Sequence, residues 1–173
     1  MTGTINTSIC KLDGLSTRIL ADWKGVSGEI PECVVSLSNL RILDLIGNRI
    51  SGKIPADIGN LQRFAVLNLV DDGLTGEILS SLAKLANMKH LDLSSNMLTG
   101  QLPFDFDLDL SVNQILGSLP NWISSMSVLS TLNLDSNMIS GPLPQSLLSS
   151  TCLGILNLSK NAFKGNIPNA FGP

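Results

Sequence analysis

The sequence predicts an α/β repeat solenoid, in which a short strand and a helical or irregular back segment alternate along one superhelix. The first observation is a period: Asn or Asp recurs at spacings of 24, 24, 17, 24 and 24 residues, and Gly follows each of them four residues later. The second is composition, with 31 Leu, 15 Asn and 22 Ser among 173 residues but two Trp and no Tyr. Ordinary domains spread their apolar residues more evenly, whereas stacked repeats fill the same few positions again and again.

The strand of each repeat is predicted by two Leu residues that are separated by one residue. Side chains two apart lie on the same face of a strand, so both Leu point inward and pack against the neighbouring coils. These pairs precede each Asn or Asp by five and three residues: Leu43/Leu45, Leu67/Leu69, Leu91/Leu93, Leu108/Leu110, Leu132/Leu134 and Leu156/Leu158.

The recurring Asn is expected to turn inward at the end of the strand and to bond the backbone of the turn, because an amide both donates and accepts. Repeated in every coil, these side chains form a hydrogen-bonded ladder. Asp72 can accept but, when ionised, cannot donate, so its rung should be weaker. The predicted ladder residues are Asn48, Asp72, Asn96, Asn113, Asn137 and Asn161.

The segment after the ladder turns the chain onto the back of the coil. Gly permits a backbone conformation or a close approach that a Cβ would obstruct, and the Ile/Leu-Pro pair that usually follows fixes φ and removes a donor. The Ile78-Leu79 pair lacks this Pro. Apolar residues beyond it, such as Val34 and Leu37, are expected to close the core from the convex side.

The whole chain, 1–173, is predicted to be one solenoid domain. The 17-residue step lies below the usual 20–29 residues of such repeats, so we expect a tight or distorted coil at 101–110, with Asp105 in a position that elsewhere holds Leu, Phe or Met. The expected units are a partial repeat 1–15, repeats 16–39, 40–63 and 64–87, a shortened repeat 88–104, repeats 105–128 and 129–152, and an incomplete repeat 153–173.

Composition also excludes several classes of protein. A hydrophobic content of 43% with only 14% charged residues disfavours disorder, and no apolar run approaches the ~18 residues of a membrane helix. Eleven basic against 14 acidic residues makes direct nucleic-acid binding a poor fit. His90 is the single imidazole and no nucleophile or oxyanion arrangement accompanies it, so we predict no enzyme and no cofactor.

The consensus LxxLxLxxNxLxGxIPxxLxxLxx resembles the plant-specific class of leucine-rich repeats. Stretches 21–48 and 132–150 are similar to a plant group named DNA-damage-repair/toleration proteins. Polygalacturonase-inhibiting proteins, receptor-kinase ectodomains and some plant antifreeze proteins look like more distant relatives. The resemblance implies a right-handed superhelix with a parallel β-sheet on the concave face and short 3₁₀, helical or irregular segments on the convex side.

The same resemblance implies a secreted protein of the extracellular space or apoplast. Members of this family usually carry a secretion signal and Cys-containing caps at both ends, and this chain shows none of the three. We therefore expect a central portion of a family member whose uncapped N- and C-terminal coils favour self-association.

Side chains between and around the strand Leu residues should face the concave surface and form the natural binding set. Asp and Asn there either solvate an exposed sheet or recognise a protein partner that bears basic and hydroxyl groups; Trp23 is either an anchor for that partner or a packed end residue. The partner-binding candidates are Arg18, Asp22, Trp23, Arg41, Asp44, Ile46, Asn68, Asp71, Lys89, His90, Asp92, Asp109, Asn133, Asp135, Asn157 and Lys160.

The cysteines leave two alternatives open. Cys10 and Cys33 lie 23 residues apart, almost one repeat, so they are either a disulfide between adjacent coils or two buried free thiols. Cys152 has no partner in either case, and no zinc-binding spacing is present. Asn6 and Asn157 begin Asn-x-Ser/Thr sequons, which become candidate glycosylation sites if the chain is secreted.

Three functions follow from the sequence. The leading one is a plant protein-interaction module for defence or stress response. The second is ice binding, suggested by the stepped rank Asn68, Asn133 and Asn157 but interrupted by carboxylates. The third, DNA-damage tolerance, is suggested only by the name of the similar group, and the acidic balance of the chain argues against direct DNA contact.

Overall fold

The front of the molecule is a seven-stranded parallel sheet. The computed structural model describes residues 2–100, 102, 108–121, 130–145, 147 and 153–167. Neighbours in the sheet follow chain order, one strand per coil, as a solenoid requires. Its strands are β2 (Thr17–Ile19), β4 (Ile42–Asp44), β6 (Val66–Asn68), β8 (His90–Asp92), β10 (Leu108–Asp109), β12 (Thr131–Asn133) and β14 (Ile155–Asn157).

A second set of parallel strands follows the ladder in each coil and forms the side of the solenoid, a feature that the sequence analysis treated only as a turn. The Gly that ends this segment needs positive φ: Gly52 has φ +76°, and a Cβ there would lie 2.7 Å from Cγ of Glu29. The strands are β1 (Gly3–Thr4), β3 (Val26–Glu29), β5 (Arg49–Gly52), β7 (Gly73–Glu77), β9 (Met97–Thr99), β11 (Leu116–Gly117), β13 (Met138–Gly141) and β15 (Ala162–Phe163).

The back of the coils consists of 3₁₀ turns, and the described residues contain no α-helix, so the helical part of the predicted α/β class is 3₁₀ here. These turns stack closely. A Cβ on Gly59 would collide with the carbonyl oxygen of Ser81 in the next coil, which explains the glycine at that position. The helices are η1 (Thr7–Lys11), η2 (Glu32–Ser36), η3 (Ile58–Asn60) and η4 (Ser80–Lys84).

The core is a continuous apolar strip between the front sheet and the back turns. The strand residues Leu45 and Leu67 are inaccessible to solvent, and so are Ile50 behind the ladder and Phe64 at the entry to β6. Burying one such side chain contributes about 1.5–3 kcal/mol, so the repeated Leu positions supply the main stabilisation of each coil.

The 17-residue step leaves the front sheet regular. Asp109 pairs with Asp92 in β8, and the N–H of Leu93 donates to the Asp109 carbonyl at 2.9 Å. The shortening therefore falls on the back of the coil. The distortion that we predict over 101–110, including Asp105, lies outside the described residues except at 102 and 108–110, where the strand pairing is regular; Cys152 also lies outside them.

The first repeat corrects our alignment by one residue. Arg18 pairs with Leu43 and Ile19 with Asp44, so Arg18 occupies an inward Leu position instead of the concave surface. The N–H of Asp22 donates to the Ile46 carbonyl, as Gly47 does one coil later, which puts Trp23 in the ladder position. One extra residue before Gly28 restores the period, and for this reason the spacing of later anchors concealed the shift.

Candidate protein-binding face

The Asn ladder fixes the edge of the front sheet. In the rung of Asn96, Nδ2 donates to the carbonyls of Leu69 at 2.7 Å, Leu93 at 3.1 Å and Ser94 at 3.1 Å, while Oδ1 accepts from the N–H of Leu74 at 3.0 Å. One side chain thus bonds its own turn and both strands of the preceding coil. Because these groups are buried, each rung removes a cost of about 1–3 kcal/mol per unpaired polar group.

Asp72 is the exception among the rungs. Its Oδ1 accepts from the N–H of Ile50 at 2.8 Å, whereas its Oδ2 is shielded from solvent and has no hydrogen-bond partner among the described residues. Desolvation raises the pKa of this carboxyl from 3.8 to about 6, against the lowering effect of the Ile50 N–H, and the charge of Asp71 raises it further. A proton on Oδ2 would supply the donor that Asn provides in other rungs.

The outward positions of the front sheet form an unbroken polar row. The pairing is in register from strand to strand, and neighbouring strands lie about 4.8 Å apart, so the row is closely spaced. Asp92 and Asp109 are adjacent, and Nδ2 of Asn133 donates to Oδ2 of Asp109 at 2.8 Å. The row, which we call the central row, consists of Asp44, Asn68, Asp92, Asp109, Asn133 and Asn157.

Apolar side chains flank the central row in the N-terminal half of the sheet. Ile42 and Val66 pair at the strand entries, and Ile46 and Val70 lie after the strands; all four are half-buried. The C-terminal half carries hydroxyl and amide groups instead. The face therefore combines carboxylates with small apolar patches, as protein interfaces commonly do.

Arg41, Lys89 and His90 are exposed on the entry side of the sheet. The first follows the turn into β4, and His90 pairs with Val66 at the start of β8. They bring positive charge to one edge of a surface whose centre is acidic. The predicted basic entry edge and the central row are therefore both on the same sheet.

The exit side of the sheet turns through residues with positive φ, among them Asp71 at 56° and Lys160 at 51°. Near the C-terminal end, Asp135 accepts from the hydroxyls of Ser159 at 2.6 Å and Ser136 at 2.8 Å, and it pairs with Lys160 at 3.4 Å. The hydroxyl of Ser159 makes the largest contribution to lowering the pKa of Asp135, and those of Ser136 and Lys160 add to it. This carboxylate is thus held ionised and oriented.

The cysteines of the first two coils are joined. Cys10 in η1 and Cys33 in η2 form a disulfide with a Cα–Cα distance of 5.9 Å, which decides between the two alternatives against free thiols. Of the two sequon residues, Asn6 is exposed and its side chain caps η1 by accepting from the Ser8 N–H, whereas Asn157 is half-buried in the central row.

The described residues contain no cluster of three or more His, Cys, Asp or Glu side chains that could hold a metal ion. Within the same described part of the chain, no helix has the length and apolar character to cross a bilayer. The chemistry of the front sheet is therefore that of hydrogen bonds, charge and small apolar contacts.

The family model for the Leucine Rich Repeat matches residues 39–61, 87–107, 107–126, 128–150 and 152–173. The chain belongs to the leucine-rich repeat family. The match includes the short repeat, as two abutting units that meet at residue 107. The leucine-rich repeat pattern of strand, ladder and 3₁₀ back therefore accounts for most of the sequence.

Similar proteins are plant leucine-rich repeat proteins. A 50-residue stretch, 29% of this chain, is 56% identical to DNA damage-repair/toleration protein DRT100 of Arabidopsis thaliana, of which it covers 13%. The Arabidopsis receptor kinase HAESA, solved with the peptide hormone IDA and the co-receptor SERK1, is 34% identical with a TM-score of 0.91 over 98% of this chain and 29% of its own. A plant ice-binding protein is 25% identical with a TM-score of 0.72 over 98% of this chain and 73% of its own.

Proposed function

We propose that this leucine-rich repeat protein is a non-enzymatic plant interaction module that binds an extended segment of a partner protein or peptide on its front sheet. The observation that carries the proposal is the in-register central row, whose carboxylates are exposed on a sheet that the core has no further use for. The similarity to the HAESA ectodomain, solved with a peptide hormone, supports the same surface. An extracellular location and a role in defence or stress response are part of the proposal.

The chemistry of the face specifies the partner. Asp44, Asp92 and Asp109 attract basic side chains, and the half-buried Ile46 and Val70 beside them accept small apolar ones. An extended segment that alternates Lys or Arg with apolar residues satisfies both requirements. Since charge across an interface mainly sets specificity and association rate, binding should weaken as salt is raised.

The test is a selection of 12-residue peptides from a displayed library against the intact chain, followed by affinity measurements on variants. Asp92→Asn with Asp109→Asn should weaken the selected peptides at least about tenfold, as expected for losing charge-assisted contacts. The matched control is Asp57→Asn with Glu32→Gln, which removes the same charge from the back of the coils, where both side chains are exposed.

Two results would count against this assignment. Selected peptides with no excess of Lys and Arg would remove the argument from charge. Equal weakening by the front-sheet and the back-side pairs would show that net charge, and not this face, governs the binding.

A second candidate, ice binding, is supported by one observation on the side strands. Hydroxyls recur one repeat apart there, and Thr75 and Thr99 each donate to the glycine carbonyl of the preceding coil, at 3.3 and 3.1 Å. Ser27 and Ser51 occupy the equivalent positions. A regular hydroxyl rank of this kind, together with the similar ice-binding protein, predicts inhibition of ice recrystallisation; a purified chain without that effect eliminates the candidate.

A further inference from the structure

The N-terminal end of the front sheet presents an unfilled strand position. β2 pairs with β4 on one side, and no described residue pairs with its other side. Behind it, β1 continues the side strands by pairing with β3, and η1 stacks on η2 with a disulfide between them. The side and the back of this coil are therefore supplied, whereas the front is open to an added strand.

A cavity of about 650 Å³ lies between these elements. Its wall contains the apolar side chains of Ile5, Ile9, Leu20 and Val26, together with Arg18, Lys11 and Trp23. Two cations and no carboxylate line it, although the chain as a whole carries 14 acidic against 11 basic residues. The cavity is thus complementary to a group that is apolar and negatively charged.

Arg18 is the decisive residue of this cavity. It occupies an inward position that holds Leu43 in the next coil, and its Nε is inaccessible to solvent without a hydrogen-bond partner among the described residues. A buried guanidinium without an anion is costly, since both its charge and its donors have lost water. Trp23, displaced into the ladder position and 50% exposed, covers one side of the same space.

We propose that the open side of β2 binds an extended peptide segment, added as a parallel strand, that carries Asp or Glu followed two residues later by an apolar residue. The register decides the spacing: inward residues face one another across parallel strands, as Arg18 faces Leu43, and the next inward residue is Leu20. A carboxylate opposite Arg18 forms a charge-assisted pair, and the apolar residue fills the wall near Leu20. Backbone hydrogen bonds along the edge of the sheet add to the affinity.

This site is separate from the proposed binding face, because its specific contacts are the inward residues of β2 and not the outward central row. Its preference is also opposite, for an acidic segment instead of a basic one. The two proposals can therefore fail independently.

The experiment uses three acetylated, amidated hexapeptides that differ in one residue, with the central motifs Glu-Ser-Leu, Gln-Ser-Leu and Leu-Ser-Leu, titrated calorimetrically against the intact chain. The Glu peptide is expected to bind at least about tenfold more tightly than the Gln peptide, the effect of a charge-assisted bond. Arg18→Leu, which restores the residue type of the other coils, should reverse the order in favour of the Leu peptide. Arg18→Lys keeps the charge and should retain part of the preference for Glu.

Controls make the outcome decisive. Circular dichroism verifies that each Arg18 variant is folded, and Asp92→Asn with Asp109→Asn should leave the hexapeptide affinities unchanged. Equal affinity for the Glu and Gln peptides, or an unchanged order in Arg18→Leu, would overturn the proposal. Decanoate binding as tightly as the Glu peptide would also overturn it, since a free carboxylate would then suffice without a strand.

Discussion

Replacing Asp72 by Asn should stabilise the protein, and more so at neutral pH than at acidic pH. Asn restores the donor that the other five ladder residues have, because the register of the repeat directs Nδ2 at position 72 toward the strand carbonyls of Leu45 and Leu69, as the register does for Asn96. In the native protein this place is held by an Oδ2 with no partner among the described residues.

The magnitude follows from the pKa of Asp72, which burial raises from 3.8 to about 6. A difference of this size corresponds to at most about 3 kcal/mol, and since the side chain is partly exposed, solvent screening reduces it to about 1–2 kcal/mol. The folded state holds the proton more tightly than the unfolded state does. This group therefore favours folding fully below pH 4, and its contribution is lost as the pH rises through 6.

The assay is urea unfolding of the wild-type chain and the Asp72→Asn variant from pH 4 to pH 8. The difference in unfolding free energy should be below about 1 kcal/mol at pH 4, where a protonated carboxyl also donates, and should grow to about 1–2 kcal/mol by pH 7. Asp57→Asn, an exposed carboxylate outside the ladder, is the control and should show no such growth. A difference that stays constant with pH, or an Asn variant that is less stable at pH 7, would refute the reasoning.

Three further changes test the packing of the coils. Gly59→Ala should cost about 1–3 kcal/mol by forcing the 3₁₀ turn of Ser81 outward, and an unchanged urea midpoint would contradict the close approach. Cys10→Ser should cost about 3 kcal/mol from a closed segment of 23 residues, and dithiothreitol should then no longer lower the stability; continued sensitivity would contradict the pairing with Cys33. Arg18→Leu should raise the thermal midpoint, since it removes a buried unpaired charge, and a lower midpoint would show that Arg18 has a partner in the free protein.

The regular parts of the fold can be predicted from the sequence because each position repeats under the same constraint. Leu67 and Leu69 must point inward in β6 just as Leu91 and Leu93 do in β8, and Asn96 must satisfy the same turn carbonyls as Asn137. The donor deficit at position 72 follows from the same argument.

The side strands could not be predicted in the same way. They contain two to five residues, and a segment such as Gly73–Glu77 has two glycines and no alternation of apolar and polar residues. Their hydrogen bonds come from the stacking of coils and not from intrinsic strand preference. Local sequence thus indicates only a turn, and the neighbouring coil makes it a strand.

The first coil shows a different limit. Gly28 and the following Ile-Pro keep the period exactly one repeat before Gly52, so the extra residue between Asp22 and Gly28 is invisible to a count of spacings. Only the strand pairing shows that Arg18 points inward. As a result, three of the candidate binding residues, Arg18, Asp22 and Trp23, lie one position away from where periodicity put them.

The most direct test of the proposed function is carboxyl footprinting, in which a carbodiimide and glycine ethyl ester label exposed acids in the presence and absence of a selected peptide. Bound peptide should protect Asp44, Asp92 and Asp109 on the front sheet and leave Asp57 and Glu32 on the back labelled as before. Protection of the back-side acids, with the central row unchanged, would contradict the assignment of the binding face.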